Sequence, residues 1–383
     1  MSTPTPPPTN HSLSLPWRFS SSLIMGLTGS ISRGFLYGLN KTEVVGLDRF
    51  LELLDQRKDV EGRNRGLVTV SNHVSVFLCS FFSYGQVLPT HRGTYSPPSQ
   101  AGLFQSTMTQ AIRLLSSQPF AKTLTTETSP SISDPFSGGS LTYSTTGADL
   151  FSAPSVYPSR RHSWVHIFPE GRVHQHPTKS LRYFKWGVSR LILESDPLPE
   201  IVPIFIDGNQ QIMHESREWP RFVPRIGKDI KIAFGEKVDG EKVFGELRER
   251  WRKLVQMQKE ALVKKGLSAD LEMGELTEGL KYGTEAVALR KEVTLRIRRE
   301  VLKVRKDLGY PGKDDLNSVY FQFCMFLESC ECFTAPEILL CSLNTANSSI
   351  LDEDPKQGLV ETWIEEGGKQ KGKMPDGSWV GDT

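Results

Sequence analysis

The sequence predicts an α/β fold in which a sheet of mostly parallel strands is flanked by helices. Four short apolar runs rich in β-branched residues predict strands at residues 67–70, 164–168, 201–206 and 230–234. Between the second and third strands, residues 183–194 carry apolar side chains at helical spacing. A strand, a helix and a strand in that order are typical of a βαβ unit, whose two strands run parallel.

Size and composition are those of a folded chain without a dominant charge. The 383 residues are 38% hydrophobic and 23% charged, which excludes a fully disordered or collagen-like protein. The 46 basic and 44 acidic residues give a net charge of +2. The overall charge therefore gives no argument for binding nucleic acid, and any attraction to a membrane must come from a local surface.

The first part of the chain divides into a leader and an apolar helix. Residues 1–15 are rich in Ser, Thr and Pro without Lys or Arg, so we expect a disordered leader rather than a secretory signal or transit peptide. Residues 16–40 are apolar, with aromatic residues and an Arg near each end, which is typical of a helix lying at a bilayer interface. An ordinary helix packed on the domain fits the pattern equally well.

The rest of the chain is predicted to form a main domain and an extension. Residues 41–265 are assigned to the α/β domain, with residues 116–162, rich in Ser, Thr, Pro and Gly, as a flexible insertion. Residues 266–383 are expected to form a helical and irregular C-terminal extension. Within it, the pattern of residues 275–307 favours an amphipathic helix that packs on the domain and keeps its Lys and Arg in solvent.

Two polar motifs directly follow predicted strands. His73, in the sequence SNH, follows the first strand, and Glu170, in the sequence FPEG, follows the second. If these strands are neighbours, both residues lie at the same edge of the sheet, where α/β folds tend to place reactive groups. A His is suited to act as a general base, and a Glu can accept hydrogen bonds from substrate hydroxyls. A turn-capping His and a plain strand-to-helix turn are the structural alternatives.

Cysteine and histidine spacing does not predict a metal site. Four of the five cysteines lie in residues 324–341, but their spacing is unlike that of zinc ribbons and no His lies nearby. The odd number of cysteines also argues against a disulfide framework. His174 and His176 lack converging ligands, so we expect surface polar residues there and no metal.

The motifs and the runs around them resemble the glycerolipid acyltransferase family. SNH after an apolar strand, FPEG after WVHI, and the later run VPIFI carry this resemblance. The match is closest to the tafazzins, in particular the fungal ones, and it extends through SLPWRFSSSLIMGLTGSISRGFLYGLN, FFSYGQVLPTHRG and PRFVPRIGK. It covers most of residues 13–265 and returns at residues 361–382.

The resemblance implies an activity and a location. It implies a mixed sheet flanked by helices with an N-terminal helix at the membrane interface. The implied activity is that of a phospholipid–lysophospholipid transacylase, which remodels cardiolipin by acylating monolysocardiolipin without coenzyme A or another cofactor. The implied location is a mitochondrial membrane, outer or inner, on the face of the intermembrane space, with peripheral or monotopic attachment.

The resemblance also implies roles for particular residues. His73 matches the catalytic His of the family. Arg92 matches an Arg that can meet lipid phosphate, a task that suits the bidentate guanidinium. The substrate-binding turn matches the FPEG sequence, which consists of Phe168, Pro169, Glu170 and Gly171.

One departure from the family pattern concerns a carboxylate. The family has an Asp five residues after its catalytic His, whereas Leu78 stands there in this chain, and no Asp or Glu occurs in residues 71–123. A segment that begins with that Asp in related proteins is absent. In Ser-His-Asp enzymes, neutralising the carboxylate that orients the His lowers turnover roughly ten-thousandfold. We therefore expect an impaired enzyme, unless the fold brings a distant aspartate to the imidazole, from among Asp48, Asp55 and Asp59.

Two alternative functions are compatible with the sequence, and two of its regions suggest an unusual origin of the sequence itself. The chain could use acyl-CoA as the acyl donor, or it could be a non-catalytic membrane-associated protein that keeps the scaffold. Residues 317–350 are aromatic and Cys-rich, and they do not resemble the family. Together with the segment lost after His73, they suggest the hypothesis of a splice variant or a mistaken gene model. Sequencing the transcript tests this hypothesis. Finding both regions in the mature messenger RNA would exclude a mistaken gene model.

Overall fold

The computed structural model describes most of the chain between residues 15 and 310. The described residues are 15–59, 62–74, 88, 102–116, 142–143, 151–152, 162–171, 173–175, 179–182, 184–214, 223–268 and 273–310. The helices are α1 (Leu15–Gly38), α2 (Leu47–Gln56), α3 (Ser106–Leu115), α4 (Gly187–Glu194), α5 (Asn209–Ile212), α6 (Gly240–Lys264), α7 (Glu278–Tyr282) and α8 (Thr284–Asp307). The strands are β1 (Lys41–Val45), β2 (Leu67–Ser71), β3 (Thr142–Tyr143), β4 (Phe151–Ser152), β5 (Trp164–Ile167), β6 (Glu200–Asp207) and β7 (Asp229–Phe234).

The main sheet has five strands in the order β1-β7-β6-β2-β5. Strands β6, β2 and β5 run parallel, whereas β7 is antiparallel to β6 and β1 is parallel to β7. The four predicted strands are confirmed, and so is a mixed sheet flanked by helices. The chain between β5 and β6 crosses over β2 and contains α4, as expected for a βαβ unit.

One face of the sheet carries the main hydrophobic core. Side chains of β2 and β6 pack there against α3, α4, α6 and α8. Helix α8 belongs to this core, because five of its apolar side chains, each about one turn after the last, are buried in it: Leu289, Val293, Ile297, Val301 and Val304. Each such side chain contributes roughly 1.5–3 kcal/mol through burial. The residues expected to form a C-terminal extension therefore include a helix of the main core.

The opposite face has a smaller apolar cluster and a polar stripe. Phe50 of α2 stacks on Phe234 with ring centroids 4.6 Å apart and meets the edge of Trp164. It also packs with the first residue of β2, Leu67. Nearer the C-terminal ends of β2 and β5, the side chains on this face are polar, and the candidate site lies there.

Helix α1 is long and largely exposed. It meets the domain at β1, where the Thr42 hydroxyl donates a hydrogen bond to the carbonyl oxygen of Leu36. Phe19, Leu23 and Ile31 keep 59–72% of their surface exposed. The predicted helix is confirmed, whereas its position at a membrane interface stays a prediction. Within the described parts of the chain, no helix combines the length with the apolarity that crossing a bilayer requires.

Three predicted regions lie wholly or mostly outside the described residues. They are the leader, the insertion at residues 116–162, and residues 317–350. Of the insertion, the structure describes Ser116, the antiparallel pair β3–β4, and His162. The division of the chain into domains therefore stays a prediction.

Candidate active site

His73 and Glu170 lie at the same edge of the sheet. Strands β2 and β5 are neighbours in parallel register, with Val70 opposite Ile167, so the two motifs leave the sheet side by side. The backbone N–H of His73 donates a hydrogen bond to Oε1 of Glu170 over 3.0 Å. The predicted proximity of the two residues is confirmed, and their chemical roles stay predictions.

Asn72 fixes the backbone immediately before His73. Its Oδ1 accepts a hydrogen bond from the N–H of Ile206, and its Nδ2 donates to the carbonyl oxygen of Ile206, both over 2.8 Å. The side-chain amide thus continues the pairing between β2 and β6 beyond the end of β2. This geometry explains why the motif has an Asn before its His.

The Glu170 carboxylate is enclosed by protein. The residue is only 1% exposed, and its two oxygens accept hydrogen bonds from the backbone N–H groups of His73 and Arg182, at 3.0 and 3.1 Å. Burial raises the pKa of Glu170 to about 7, against the opposing effects of these two bonds and of the charges on Arg182 and Arg298. In this structure the carboxylate joins two backbone segments, and its contact with substrate hydroxyls stays a prediction.

The turn after β5 requires a glycine. Gly171 has φ = 68° and donates its N–H to the carbonyl oxygen of Phe168 over 3.1 Å. This left-handed backbone conformation favours glycine, and a Cβ here would also displace the end of the flexible Lys185 side chain. Lys185 also donates its N–H to the carbonyl oxygen of Pro169 over 2.7 Å. The turn is thereby held from both sides.

Phe168 packs between two histidines. Its ring centroid lies 4.7 Å from that of His73 and 4.5 Å from that of His166. The Phe168 side chain remains 40% exposed. Phe168 therefore forms an apolar wall beside the predicted base, next to solvent.

His166 is part of the site, although the sequence pattern did not single it out. Its Nδ1 lies 2.7 Å from Oγ1 of Thr69, and its Nε2 lies 3.2 Å from Oγ of Ser71. The surrounding protein and the nearby His73 lower the pKa of His166, which favours a neutral imidazole. The alternation of strand residues could have indicated this position. Alternate residues of a strand share a face, so His166 lies on the same face as Phe168, and it pairs with Thr69.

The expectation that His174 is a surface residue is wrong. The residue is only 7% exposed, and its N–H donates to the carbonyl oxygen of His73 over 2.7 Å. The neighbouring Gln175 donates from Nε2 to the carbonyl oxygens of Val74 and Met213, both over 2.9 Å. The chain after the FPEG turn thus runs against the His73 loop, and His176 lies outside the described residues.

The distant aspartates do not reach the candidate base. Asp48, Asp55 and Asp59 are exposed, on α2 or just after it. Arg57, between the last two, binds the carbonyl oxygens of Arg65 and His162, which precede β2 and β5. This end of β2 is about 20 Å from His73, given the rise of ~3.3 Å per residue in a strand. Leu78 and Arg92 lie outside the described residues.

The described residues hold no group of three His, Cys, Asp or Glu side chains placed to bind a metal ion. The chemistry that this part of the chain offers is an imidazole beside an apolar wall, on a loop held by a buried carboxylate. Such an imidazole can accept a proton from a hydroxyl group.

The chain is similar in sequence to known proteins over much of its length. The chain is 29% identical to tafazzin of Saccharomyces cerevisiae over 343 residues, which cover 78% of this chain and 81% of the yeast protein. It is 26% identical to tafazzin of Drosophila melanogaster over 238 residues, which cover 61% of this chain and 55% of that protein. No protein-family model matches the chain.

A shorter similarity connects the chain to a second named enzyme. Over 79 residues, 20% of this chain and 28% of the relative, it is 37% identical to N-acylphosphatidylethanolamine synthase of Arabidopsis thaliana. The similarity to tafazzins is far longer, and the yeast protein is fungal, as the sequence motifs predicted. The chain is therefore a tafazzin-like protein related to the phospholipid acyltransferases.

Proposed function

We propose that this chain carries the active site of a phospholipid–lysophospholipid transacylase that remodels cardiolipin, and that its turnover is weak. The observation that carries the proposal is the joining of His73 and the FPEG turn at one sheet edge through Glu170. The similarity to yeast and Drosophila tafazzins supports the choice of reaction. The weak turnover follows from Leu78, which replaces the Asp of the family pattern.

The proposed reaction exchanges one ester for another. The His73 imidazole takes the proton from the free hydroxyl of monolysocardiolipin, and the oxygen attacks the acyl carbonyl of a donor phospholipid. A new ester C–O bond forms and the donor's ester C–O bond breaks. The departing alkoxide takes the proton back from the imidazolium, so no metal, redox partner or coenzyme A is consumed. Arg92 and the FPEG turn would orient the head groups.

The proposed location of the protein is a mitochondrial membrane, with α1 lying in the membrane interface. Its exposed apolar side chains, interrupted by few charges, suit that position. Two further exposed apolar residues, Val223 and Ile226, lie in a loop whose Gly227 donates its N–H to the carbonyl oxygen of Leu39. This loop therefore adds apolar surface next to the end of α1, which suits peripheral or monotopic attachment.

An acyl-transfer assay tests the proposed reaction. Purified protein is mixed with vesicles of labelled phosphatidylcholine and monolysocardiolipin, with and without acyl-CoA. We expect slow transfer from phosphatidylcholine that exceeds the rate of a His73→Ala variant and does not require acyl-CoA. Fast transfer would show that the missing Asp is unimportant.

The same assay separates the alternatives. Transfer only with acyl-CoA would identify an acyl-CoA-dependent lysophospholipid acyltransferase. A rate equal to that of His73→Ala, in protein that still binds vesicles, would identify a non-catalytic relative.

Vesicle flotation tests the proposed role of α1. The double variant Leu23→Glu/Leu27→Glu places two charges on one exposed apolar face of the helix. We expect vesicle binding to fall roughly a hundredfold or more, because two buried leucines contribute about 1.5–3 kcal/mol each. Ser22→Glu/Thr28→Glu is the control, since it adds the same charge at exposed polar positions of the helix. Equal losses in both variants would assign the effect to charge alone and contradict an interfacial apolar face.

A further inference from the structure

Three buried arginines lie along one side of α8. Arg290, Arg298 and Arg305 are separated by eight and seven residues, which places them on one helix face, and each is at most 3% exposed. The sequence pattern favoured solvated basic residues in this helix. Burying a guanidinium is costly unless its N–H groups find acceptors. The groups that accept hydrogen bonds from these arginines therefore identify the segments that the arginines hold in place.

Two of these arginines bind the carbonyl groups of residues 179–182. Arg298 donates from Nε to the carbonyl oxygen of Arg182 over 3.0 Å and from Nη2 to that of Leu181 over 2.8 Å. Arg305 donates from Nε to the carbonyl oxygen of Lys179 over 2.8 Å. The planar fork of a guanidinium suits two neighbouring carbonyl groups, whereas an ammonium group has no such planar fork.

The same segment is tied to the sheet at its start. Lys179 forms a half-buried ion pair with Asp207 at the end of β6, over 2.9 Å. The Tyr310 hydroxyl, just after α8, donates to the other oxygen of Asp207 over 2.5 Å. The start of the segment is thus held by side chains from β6 and from the chain after α8.

The segment in turn holds Glu170. The N–H of Arg182 donates to Oε2 of Glu170, while Oε1 of the same carboxylate accepts from the N–H of His73. An unbroken series of contacts therefore runs from Arg298, through the backbone of residue 182 and the Glu170 carboxylate, to the backbone of His73. The charge of Arg298 also acts on Glu170, whose pKa it lowers.

We propose that Arg298 is a positioning residue for His73: it fixes residues 181–182, which hold the Glu170 carboxylate against the backbone of the catalytic loop. Its importance for catalysis rests on the proposed role of His73 as the base. Removing the guanidinium takes a donor away from the carbonyl groups of Leu181 and Arg182, which is destabilising, so a loss of stability alone does not distinguish a positioning role from a structural one. Under the proposal, its replacement changes the environment of His73.

Nuclear magnetic resonance of the full chain tests this without relying on turnover. The protein has eight histidines, so labelling His amides with 15N gives few signals, and His73→Ala identifies that of His73. Labelling Glu side-chain carboxyls with 13C follows the titration of Glu170, identified with Glu170→Gln. The variants are Arg298→Met, Arg298→Lys and, as the control, Arg299→Met, which changes the exposed neighbouring Arg.

These variants are expected to distinguish the effect of the Arg298 charge from the effect of its hydrogen-bond geometry. Arg298→Met moves the His73 amide signal and raises the Glu170 midpoint by roughly half a pH unit or more, because a positive charge is lost. Arg298→Lys keeps the charge, so the Glu170 midpoint stays near the wild-type value while the His73 signal still moves. Arg299→Met changes neither.

An unmoved His73 amide signal in folded Arg298→Lys and Arg298→Met would overturn the proposal. If Arg298→Met does not fold, Arg298→Lys alone decides the outcome. Because these signals do not depend on acyl transfer, failure of the proposed transacylase activity would leave the structural result standing. Failure of the positioning role would leave the acyl-transfer assay standing.

Discussion

Replacing Leu78 with Asp is expected to raise the rate of acyl transfer about a hundredfold or more, approaching the roughly ten-thousandfold effect of such a carboxylate in Ser-His-Asp enzymes. The change restores the family spacing between the His and the Asp. The backbone around His73 is already fixed by Asn72 and Glu170. The missing contribution is a negative charge that fixes the imidazole tautomer and stabilises the imidazolium. The measurement is the initial rate of transfer from labelled phosphatidylcholine to monolysocardiolipin.

Leu78→Asn is the matched control, because it has the same shape as Asp without the charge. We expect it to leave the slow wild-type rate nearly unchanged. If Asn raised the rate as much as Asp, polarity rather than charge would be responsible. If neither variant exceeded the wild type while His73→Ala remained slower still, the loss would lie in the rest of the absent segment.

Replacing Glu170 with Gln is expected to remove a pH dependence of stability. The pKa of Glu170 is about 7 in the folded protein, above its ordinary value of 4.5. Between these values the folded state binds more protons than the unfolded state, so stability falls as pH rises from 4.5 to 7. For a fully buried group this shift corresponds to about 3 kcal/mol. The measurement is the free energy of unfolding in urea at pH 5 and pH 7.5.

The same variant should also weaken the contact with His73. A Gln side chain has one acceptor oxygen, so one of the N–H groups of His73 and Arg182 loses its partner, at a cost of about 1–3 kcal/mol. We therefore expect slower residual acyl transfer in Glu170→Gln. Glu249→Gln, at an exposed position of α6, should retain the wild-type pH slope. An identical slope in Glu170→Gln and the wild type would refute the assignment to Glu170.

The main strands and the shared edge of the two motifs were predictable from local pattern. Strands β2 and β6 are buried along most of their length, so they appear as continuous apolar runs. Strand β1 was not predictable as an apolar run, because Lys41, Thr42 and Glu43 are polar and only its last two residues are apolar. Helix α2 was not predicted either, although its one buried residue, Phe50, anchors the smaller cluster.

The supports of the candidate site were not predictable from local pattern. Arg298 binds carbonyl groups 116 and 117 residues away in the sequence, and no periodic signal marks such a contact. Arginine is mostly exposed in proteins, so a basic amphipathic helix predicts solvated side chains. Similarly, His174 follows a turn at a position that no sequence periodicity marks, and it is buried where the chain returns to the His73 loop.

The contacts of α8 with residues 179–182 change what counts as an intact copy of this protein. The two recognisable motifs end at residue 171, more than a hundred residues before α8 begins at Thr284. A shortened copy that stops between these points would pass any inspection for signature residues. It would nevertheless lack the guanidinium groups that bind the carbonyls of Lys179, Leu181 and Arg182. Intactness therefore has to be judged on the helix as well as on the motifs.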